Sequence, residues 1–496
     1  MLNVLLWLPL AVCVIVAIAP RVAAAPLSVA GSLVTLVLAL VLVADFDSET
    51  PGLQFVIDES WIAELGVRYQ LGVDGISLFL VVMTALLWAA AFAWSAFRAP
   101  DRPKNYFLML GLAEFATLGA FLAQDLLLFV LFFDLMLLPF FFLIGSYGTG
   151  DRVRATIRMM VYTLVGSLLM LVAAIATAIL TANETGELSF AMADLRANVL
   201  PDGSQDWIFC FFAAAFLVKM PAFPFHGWMP DAYLAAPPPV LALLSGVLSK
   251  VAAYGFLRVV LPIFPEATVQ FQELILVIAT ASILYGSAMA FTQTNVRLIA
   301  GYSSIAQLGF ITLGVFSLTA DGANGAILQM VNHAVVVVPL FLIIVLLAER
   351  FGSEDLRQMG GGAMRAPILA ALFLIVTLAT LAMPGSANFI GEFYILNGLF
   401  DAKTAFAVVA ATGIALAAFY ALRMYQRAMH NRLPAGGDSR ELELRDGLVL
   451  VPLVGVILIL ALFPGKVLER GEASVQDKVG AVASAADGEI QASVAK

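Results

Sequence analysis

Charge is what this chain has least of. Lys, Arg, Asp and Glu make up 12% of its 496 residues and hydrophobic types 62%, against about 25% charged in a soluble domain. Such a balance excludes an ordinary water-soluble fold. Cysteine is scarcer still: Cys13 and Cys210 both lie in apolar runs, so neither a disulfide framework nor a thiolate metal site is indicated. There are three histidines, and no Cys-x-x-Cys, phosphate-cradling Gly-rich loop or strand-linked Gly-x-Gly-x-x-Gly that would hold a redox centre or nucleotide. The formal charge of −9 gathers in loops and tail and argues for no nucleic-acid partner. Met1 to Ala19 lacks a basic leading region, and another apolar run follows the Ala-rich stretch before Pro26. The start therefore reads as a first membrane helix rather than a cleaved signal.

What the chain does have is long apolar runs. A spanning helix needs about 20 mostly apolar residues, and about fourteen segments qualify by that rule. They are Leu2–Ala19, Val22–Ala44, Ile76–Phe97, Tyr106–Ala123, Leu126–Tyr147, Thr156–Thr181 and Trp207–Met220 with its continuation. Val240–Leu261, Phe271–Phe291, Arg297–Leu318, Ala323–Ala348, Pro367–Asn397, Thr404–Met424 and Gly447–Phe463 complete the set. The fold expected is an all-α polytopic membrane protein. Basic residues occupy alternate loops, at Arg21, Arg98 to Lys104, Arg152 to Arg158, Arg297, Arg350 to Arg365 and Arg423 to Arg445. The intervening loops, Asp45 to Asp74, Glu184 to Asp206 and the one at Asp321, are acidic or neutral. The positive-inside rule puts the basic loops in the cytoplasm and both termini outside.

Two helices are interrupted, at Lys219-Met-Pro-Ala-Phe-Pro-Phe-His-Gly-Trp-Met-Pro-Asp231 and at Met383-Pro-Gly-Ser-Ala-Asn-Phe-Ile-Gly-Glu-Phe393. Proline removes a backbone donor and clashes with the preceding turn, and unwound backbone at membrane depth is tolerated only inside protein or beside a wet cavity. Breaks at corresponding places in two halves indicate inverted repeats. The expected division is 1-98 for helices one to three, 105-262 for repeat one (helices four to eight), 271-428 for repeat two (helices nine to thirteen), and 447-496 for helix fourteen and the tail.

Within this apolar background four ionisable residues stand deep in helices: Asp134, Lys219, Lys250 and Glu392. A charge at bilayer depth costs about 2.5–3.5 kcal/mol on insertion scales and usually marks an ion or proton path. Asp134 lies about 12 Å into its helix at 1.5 Å per residue. It pairs naturally with Lys219 on the same repeat. Buried alone, a carboxylate holds its proton and a lysine sheds one, whereas paired they both stay charged. Changing their separation is then a proton switch; the alternative is a static ion pair fixing helix packing. Lys250 has no intrahelical acid nearby and is a candidate proton carrier, with snorkelling to an interface as the alternative. Glu392 follows the second break. Glu114, in helix four, is either a proton-transfer group or an intersubunit contact. His333 is mid-helix and able to relay protons, or a satisfied structural donor. His226 sits in the first break, where capping freed carbonyls is the alternative, and His430 lies in a basic loop. Arg297, Tyr302, Ser303, Ser304 and Gln307 supply polar groups at the start of helix ten. No triad or metal cage follows from these spacings.

These motifs are similar to those of the antiporter-like membrane subunits of respiratory complex I, the proton-pumping NADH:quinone oxidoreductase, and among them to the M-type. The resemblance runs from Leu71-Gly-Val-Asp-Gly-Ile-Ser-Leu78 to Arg423-Met-Tyr-Gln-Arg427. It includes Val218 to Ala232 for the seventh helix, Gly246-Val-Leu-Ser-Lys-Val-Ala-Ala-Tyr-Gly255 for the eighth, Gln329-Met-Val-Asn-His333 for the eleventh and Pro384 to Glu392 for the twelfth. It implies that Asp134 and Lys219 are the carboxylate–lysine pair, Lys250 the central carrier and Glu392 the group near the exit. It also implies L-type and N-type neighbours, a bacterial plasma membrane, and NADH, FMN, Fe–S clusters and quinone held by other subunits, with no cofactor on this chain. Three positions depart from the family pattern. Asp134 replaces the usual glutamate, Gln307 a common histidine, and Ala236-Pro-Pro-Pro239 a more usual Ala-Pro-Thr-Ala. A subunit of a multi-subunit Na⁺/H⁺ antiporter, a stand-alone inverted-repeat solute carrier and a purely structural subunit remain alternatives.

Overall fold

The structure is a computed structural model and describes residues 1–50, 52–432, 438 and 440–494. Pro51, residues 433–437 and 439 of the basic stretch, and Ala495 and Lys496 at the end of the tail lie outside the described residues. The apolar runs fold as helices, because a helix satisfies its own N–H and C=O groups where lipid cannot. In order they are α1 (Leu2–Ile18), α2 (Ala24–Asp45), α3 (Leu78–Arg98), α4 (Pro103–Leu122), α5 (Leu126–Tyr147) and α6 (Arg152–Thr185). Next come α7 (Asp202–Lys219), α8 (Pro238–Ile263), α9 (Gln272–Thr292), α10 (Val296–Phe316) and α11 (Ala320–Phe351). The chain continues through α12 (Pro367–Thr380), α13 (Ala387–Met429), α14 (Leu444–Leu462) and α15 (Gly465–Val494). Among the described helices eleven are long and apolar enough to cross a membrane; α1 and α12 are apolar but shorter.

Packing sorts these helices by depth. The apolar stretches of α8 and α11 are wholly buried and that of α10 nearly so, while α2 and α13 show most of theirs to the surroundings. Without a hydrophobic force between helices in lipid, close contact depends on small residues. On α9 and α10 glycine supplies it: a Cβ at Gly309 would lie 2.7 Å from the carbonyl oxygen of Ala279, and one at Gly286 2.8 Å from that of Tyr302.

Both proline-rich breaks appear where the sequence placed them. Helix α7 stops at Lys219, and a 3-10 turn at Phe225–Trp228 leads to a short helix, Met229–Ala235. The freed carbonyl of Val218 accepts from Trp228 Nε1 at 2.9 Å, and Phe223 N donates to Ser282 Oγ at 2.9 Å. Helix α12 stops at Thr380, and α13 starts at Ala387 after a turn through Gly385, whose φ of +90° suits glycine. Asn332 Nδ2 on α11 donates to the carbonyl of Ala387 at 2.7 Å.

The sequence reading differs from the structure in three places. Asp45 to Asp74, read as a loop, contains an antiparallel hairpin of β1 (Gln54–Ile62) and β2 (Val67–Val73). Asp125, the N-cap of α5, ties the hairpin down by accepting from Leu128 N and from Arg68 N, both at 3.0 Å. Helix α13, by contrast, is divided by non-helical backbone at Lys403 (φ −146°, ψ 66°), within the expected boundary between Asn397 and Thr404. Helix α8 widens into π turns at Leu244–Leu248 and Phe256–Val260. The tail forms α15, fastened by Arg196, which holds both carboxylate oxygens of Asp477 at 2.6 and 2.9 Å, and by Gly75 N donating to Ser474 Oγ at 3.0 Å.

Candidate functional site

The local geometry around Asp134 begins with Pro139. That residue has no N–H to return to the carbonyl four positions back, and α5 bends at Met136, two residues past Asp134. Lys219, the last residue of α7, reaches this bend. Its Nζ donates to the carbonyl of Phe133 at 3.0 Å and sits 4.2 Å from the centre of the Phe133 ring. Asp134 is the next residue, and its Oδ1 is buried without a hydrogen-bond partner. Among the described residues, Asp134 and Lys219 form no ion pair within 4.0 Å. The structure thus brings the expected partners together with the lysine one residue off the carboxylate. Asp134 itself is only partly buried, flanked on one helix face by the exposed Leu131 and Leu138.

Lys250 lies at the centre of the bundle and is fully buried, which removes snorkelling. The π turn beside it leaves the carbonyl of Ser245 free to accept from Lys250 Nζ at 2.8 Å; Ser249 Oγ is 3.3 Å away. π turns interrupt the regular bond ladder and recur at functional positions. Ser245 Oγ donates to Ser304 Oγ on α10 at 3.0 Å. His333 on α11 is buried, leaves its Nδ1 without a partner, and is within electrostatic reach of Lys250. Lys250 thus has polar neighbours on α10 and α11.

Glu392 ends a second set of bonds. Its Oε1 accepts from Gln307 Nε2 at 2.8 Å, and Gln307 Oε1 accepts from Gln329 Nε2 at 2.6 Å. Tyr420, within electrostatic reach of Glu392, shares a 2.9 Å bond with Ser303. Space for Gln329 depends on Gly391, where a Cβ would lie 2.4 Å from Gln329 Oε1 and 3.1 Å from its Cα. Gly391→Ala is expected to push α11 from α13, part Gln329 from Gln307, and cost about 1–3 kcal/mol, the usual range for overpacking. Denaturant titration of the purified variant in micelles checks that figure.

Other sequence candidates fall elsewhere. Glu114 is buried within the chain, with Oε1 unpartnered, near Cys13 of α1; it does not present an intersubunit surface. His226 caps no freed carbonyl. Its Nε2 meets Tyr285 Oη at 3.1 Å, and the ring of Tyr302 lies nearby. Arg297 is held by Glu354 at 2.6 Å, and His430 is exposed. The sequence reading missed an ion pair altogether. Arg258, in the second π turn of α8, donates to Asp74 at 2.5 Å and to Tyr254 Oη at 2.8 Å, and both charged side chains are 3% exposed. Burial alone would raise the Asp74 carboxyl, yet the guanidinium beside it holds it below the usual value of 3.8. The signal was an arginine eight residues after a buried lysine. Among the described residues no three His, Cys, Asp or Glu side chains gather to hold a metal.

A family model described as NADH:quinone oxidoreductase/Mrp antiporter, TM matches residues 123–417, which contain all four deep charges. NADH-quinone oxidoreductase subunit M of Rhodobacter capsulatus is 34% identical over 486 residues, covering 95% of this chain and 94% of its own. In the structure of respiratory complex I from Thermus thermophilus with bound NADH, one chain matches with a TM-score of 0.87 at 30% identity, over 96% of this chain and 99% of that one. The Mrp complex from Dietzia sp. supplies a match of the same fold, with a TM-score of 0.84 at 22% identity over 97% and 98%. Helix order, broken helices and sequence converge: the chain belongs to the NADH:quinone oxidoreductase/Mrp antiporter membrane family.

Proposed function

We propose that this chain is a proton-translocating membrane-arm subunit of an NADH:quinone oxidoreductase, with Asp134, Lys219, Lys250 and Glu392 as its proton-transfer groups. The observation that carries this reading is a pair of buried polar sets that both include residues of α10: Lys250–Ser245–Ser304 joins α8 to α10, and Gln329–Gln307–Glu392 joins α11 and α13 to α10. Such groups are expensive in a membrane and usually serve ion or proton transfer. Lys219 supplies the switch. In one arrangement its ammonium rests on the Phe133 carbonyl; a small displacement of the bend brings it onto the adjacent Asp134 carboxylate. Pairing favours the charged lysine, separation favours release of its proton, and Lys250 takes up what is released. Glu392 passes it out through Gln307 and water. His333 assists Lys250, and Glu114, whose Oε1 has no hydrogen-bond partner, is the weakest candidate.

In this reading the two broken helices belong to inverted repeats at 105-262 and 271-428. Both termini face the outside of a bacterial plasma membrane. L-type and N-type subunits lie alongside, one of them covering the partly exposed face of Asp134. NADH, FMN, Fe–S clusters and quinone are handled by other subunits, and the energy arrives as displacement or charge from them. The discriminating experiment is purification of the native assembly through a tag on this chain. NADH:quinone reductase activity should copurify. Recovery of an assembly that exchanges Na⁺ for H⁺ without quinone reduction would assign the chain to the antiporter branch.

A further inference from the structure

At the basic end of the bundle a cavity of about 720 Å³ opens between the ends of α3, α4, α5 and α8. Arg98, Arg102 and Arg152 line it with Trp94, Tyr106 and Tyr147, and Asp101 is the one acidic residue in its wall. Arg98 is partly neutralised by Asp446 at 3.0 Å and Glu349 at 3.7 Å, but its Nη1 is buried without a partner. Trp94, stacked 3.6 Å beneath that guanidinium, is fully buried, and its indole N–H also has no acceptor. Arg152 Nη1 donates to the carbonyls of Ser146 and Gly148 at 3.1 Å. Among the described residues the Arg102 guanidinium makes no hydrogen bond or ion pair. No side chain caps the first turn of α4. Unused donors, a net positive wall and an uncapped helix start converge on one space, and the ligand they fit is an anion with several acceptor oxygens.

A second cavity, of about 330 Å³, adjoins the first through Arg102, Ser146 and Tyr147. Its remaining wall is Asn105, Leu108, Met109 and Phe142, an apolar groove along α4 and α5. The other rim of the basic cavity is Pro237, Pro238 and Pro239, the segment where the chain departs from its family's pattern. Prolines offer no N–H to an anion, so the donors all come from the arginine side.

We infer that this pair of cavities is a binding site for an anionic phospholipid: the headgroup phosphate lies among Arg98, Arg102 and Arg152, and an acyl chain runs along Leu108, Met109 and Phe142. Basic pockets between helices on the side of the basic loops suit such headgroups, and the continuous apolar groove selects a lipid over a free phosphate ion. The inference is independent of proton transfer.

The test is native mass spectrometry of the intact assembly from nanodiscs of phosphatidylcholine with and without phosphatidylglycerol, and from detergent with inorganic phosphate. The wild type should retain phosphatidylglycerol. Arg102→Gln, which breaks no contact within the chain, should reduce retention about tenfold, the worth of one charge-assisted bond. Met109→Trp, which fills the groove, should do the same with all three arginines in place. Equal retention of phosphatidylcholine overturns the charge argument, and protection by inorganic phosphate as strong as by lipid overturns the acyl groove. Failure of the wild type to retain lipid, or unchanged retention by either variant, overturns the site.

Discussion

Lys219→Ala is expected to yield an assembly that forms normally and does not pump protons. The side chain has one hydrogen bond, to the Phe133 carbonyl, and one ring contact. Its removal therefore costs about 1–3 kcal/mol of stability through an unpaired carbonyl, too little to unfold a bundle packed this densely. The functional cost is of another kind. Without the ammonium, Asp134 has no movable counter-charge, and a charge that depends on their separation no longer exists. Dye-reported acidification of vesicles containing the assembly should fall to background, with subunit content unchanged on a native gel. Lys219→Arg keeps charge but offers a planar, permanently protonated head, so it should preserve assembly and still fail to pump. Asp134→Glu restores one methylene of reach and should retain pumping. Pumping by Lys219→Ala would leave this residue a structural role only.

Arg258→Ala is expected to destabilise the chain by about 3–5 kcal/mol, the usual result of removing one partner from a buried ion pair. The loss leaves Asp74 buried without its guanidinium and Tyr254 Oη without the donor it accepts from. It also loosens the end of α3 on which α15 is fastened through Gly75 and Ser474. Unfolding of the purified chain in mixed micelles checks the magnitude. Asp74→Asn combined with Arg258→Met, which removes both charges, should recover most of the loss; equal destabilisation by single and double variants would contradict the pairing. The pair also sets a pH dependence. The Asp74 carboxyl is held below its ordinary 3.8, so its stabilisation is fully present above that value and is lost as pH falls through the lower folded value.

The sequence made some of this legible for physical reasons that also mark its limits. Single prolines at 9, 339 and 452 sit inside continuous helices, but the clustered Pro221 and Pro224 and the Pro384-Gly385 pair stop theirs, so both breaks were readable. Asp134, Lys219, Lys250 and Glu392 stood out because lipid depth makes charge costly. Arg258 carries the same cost, yet its partner Asp74 lies 184 residues away in an acidic loop, and no local pattern joins them. Gln307, Gln329, Ser245 and Tyr420 are ordinary polar residues. Only tertiary contact gives them their partners, Ser304 for Ser245, Ser303 for Tyr420, and Glu392 for Gln307. The π turns around Lys250 leave no compositional trace. The hairpin between α2 and α3 was hidden in a stretch judged only by its charge, although its side chains suit a strand. The division of α13 at Lys403 falls between the apolar runs that end at Asn397 and begin at Thr404.

Lys250 stands at the middle of the account, and one measurement tests that place most directly. Proton translocation and NADH oxidation are recorded in the same vesicles for wild-type assembly and for Lys250→Ala. The prediction is an assembled variant whose pumped protons fall to background, because the bonds through Ser245 and Ser304 then lead to no ionisable group. Undiminished pumping by an assembled Lys250→Ala variant would contradict a proton path through this chain's buried lysine.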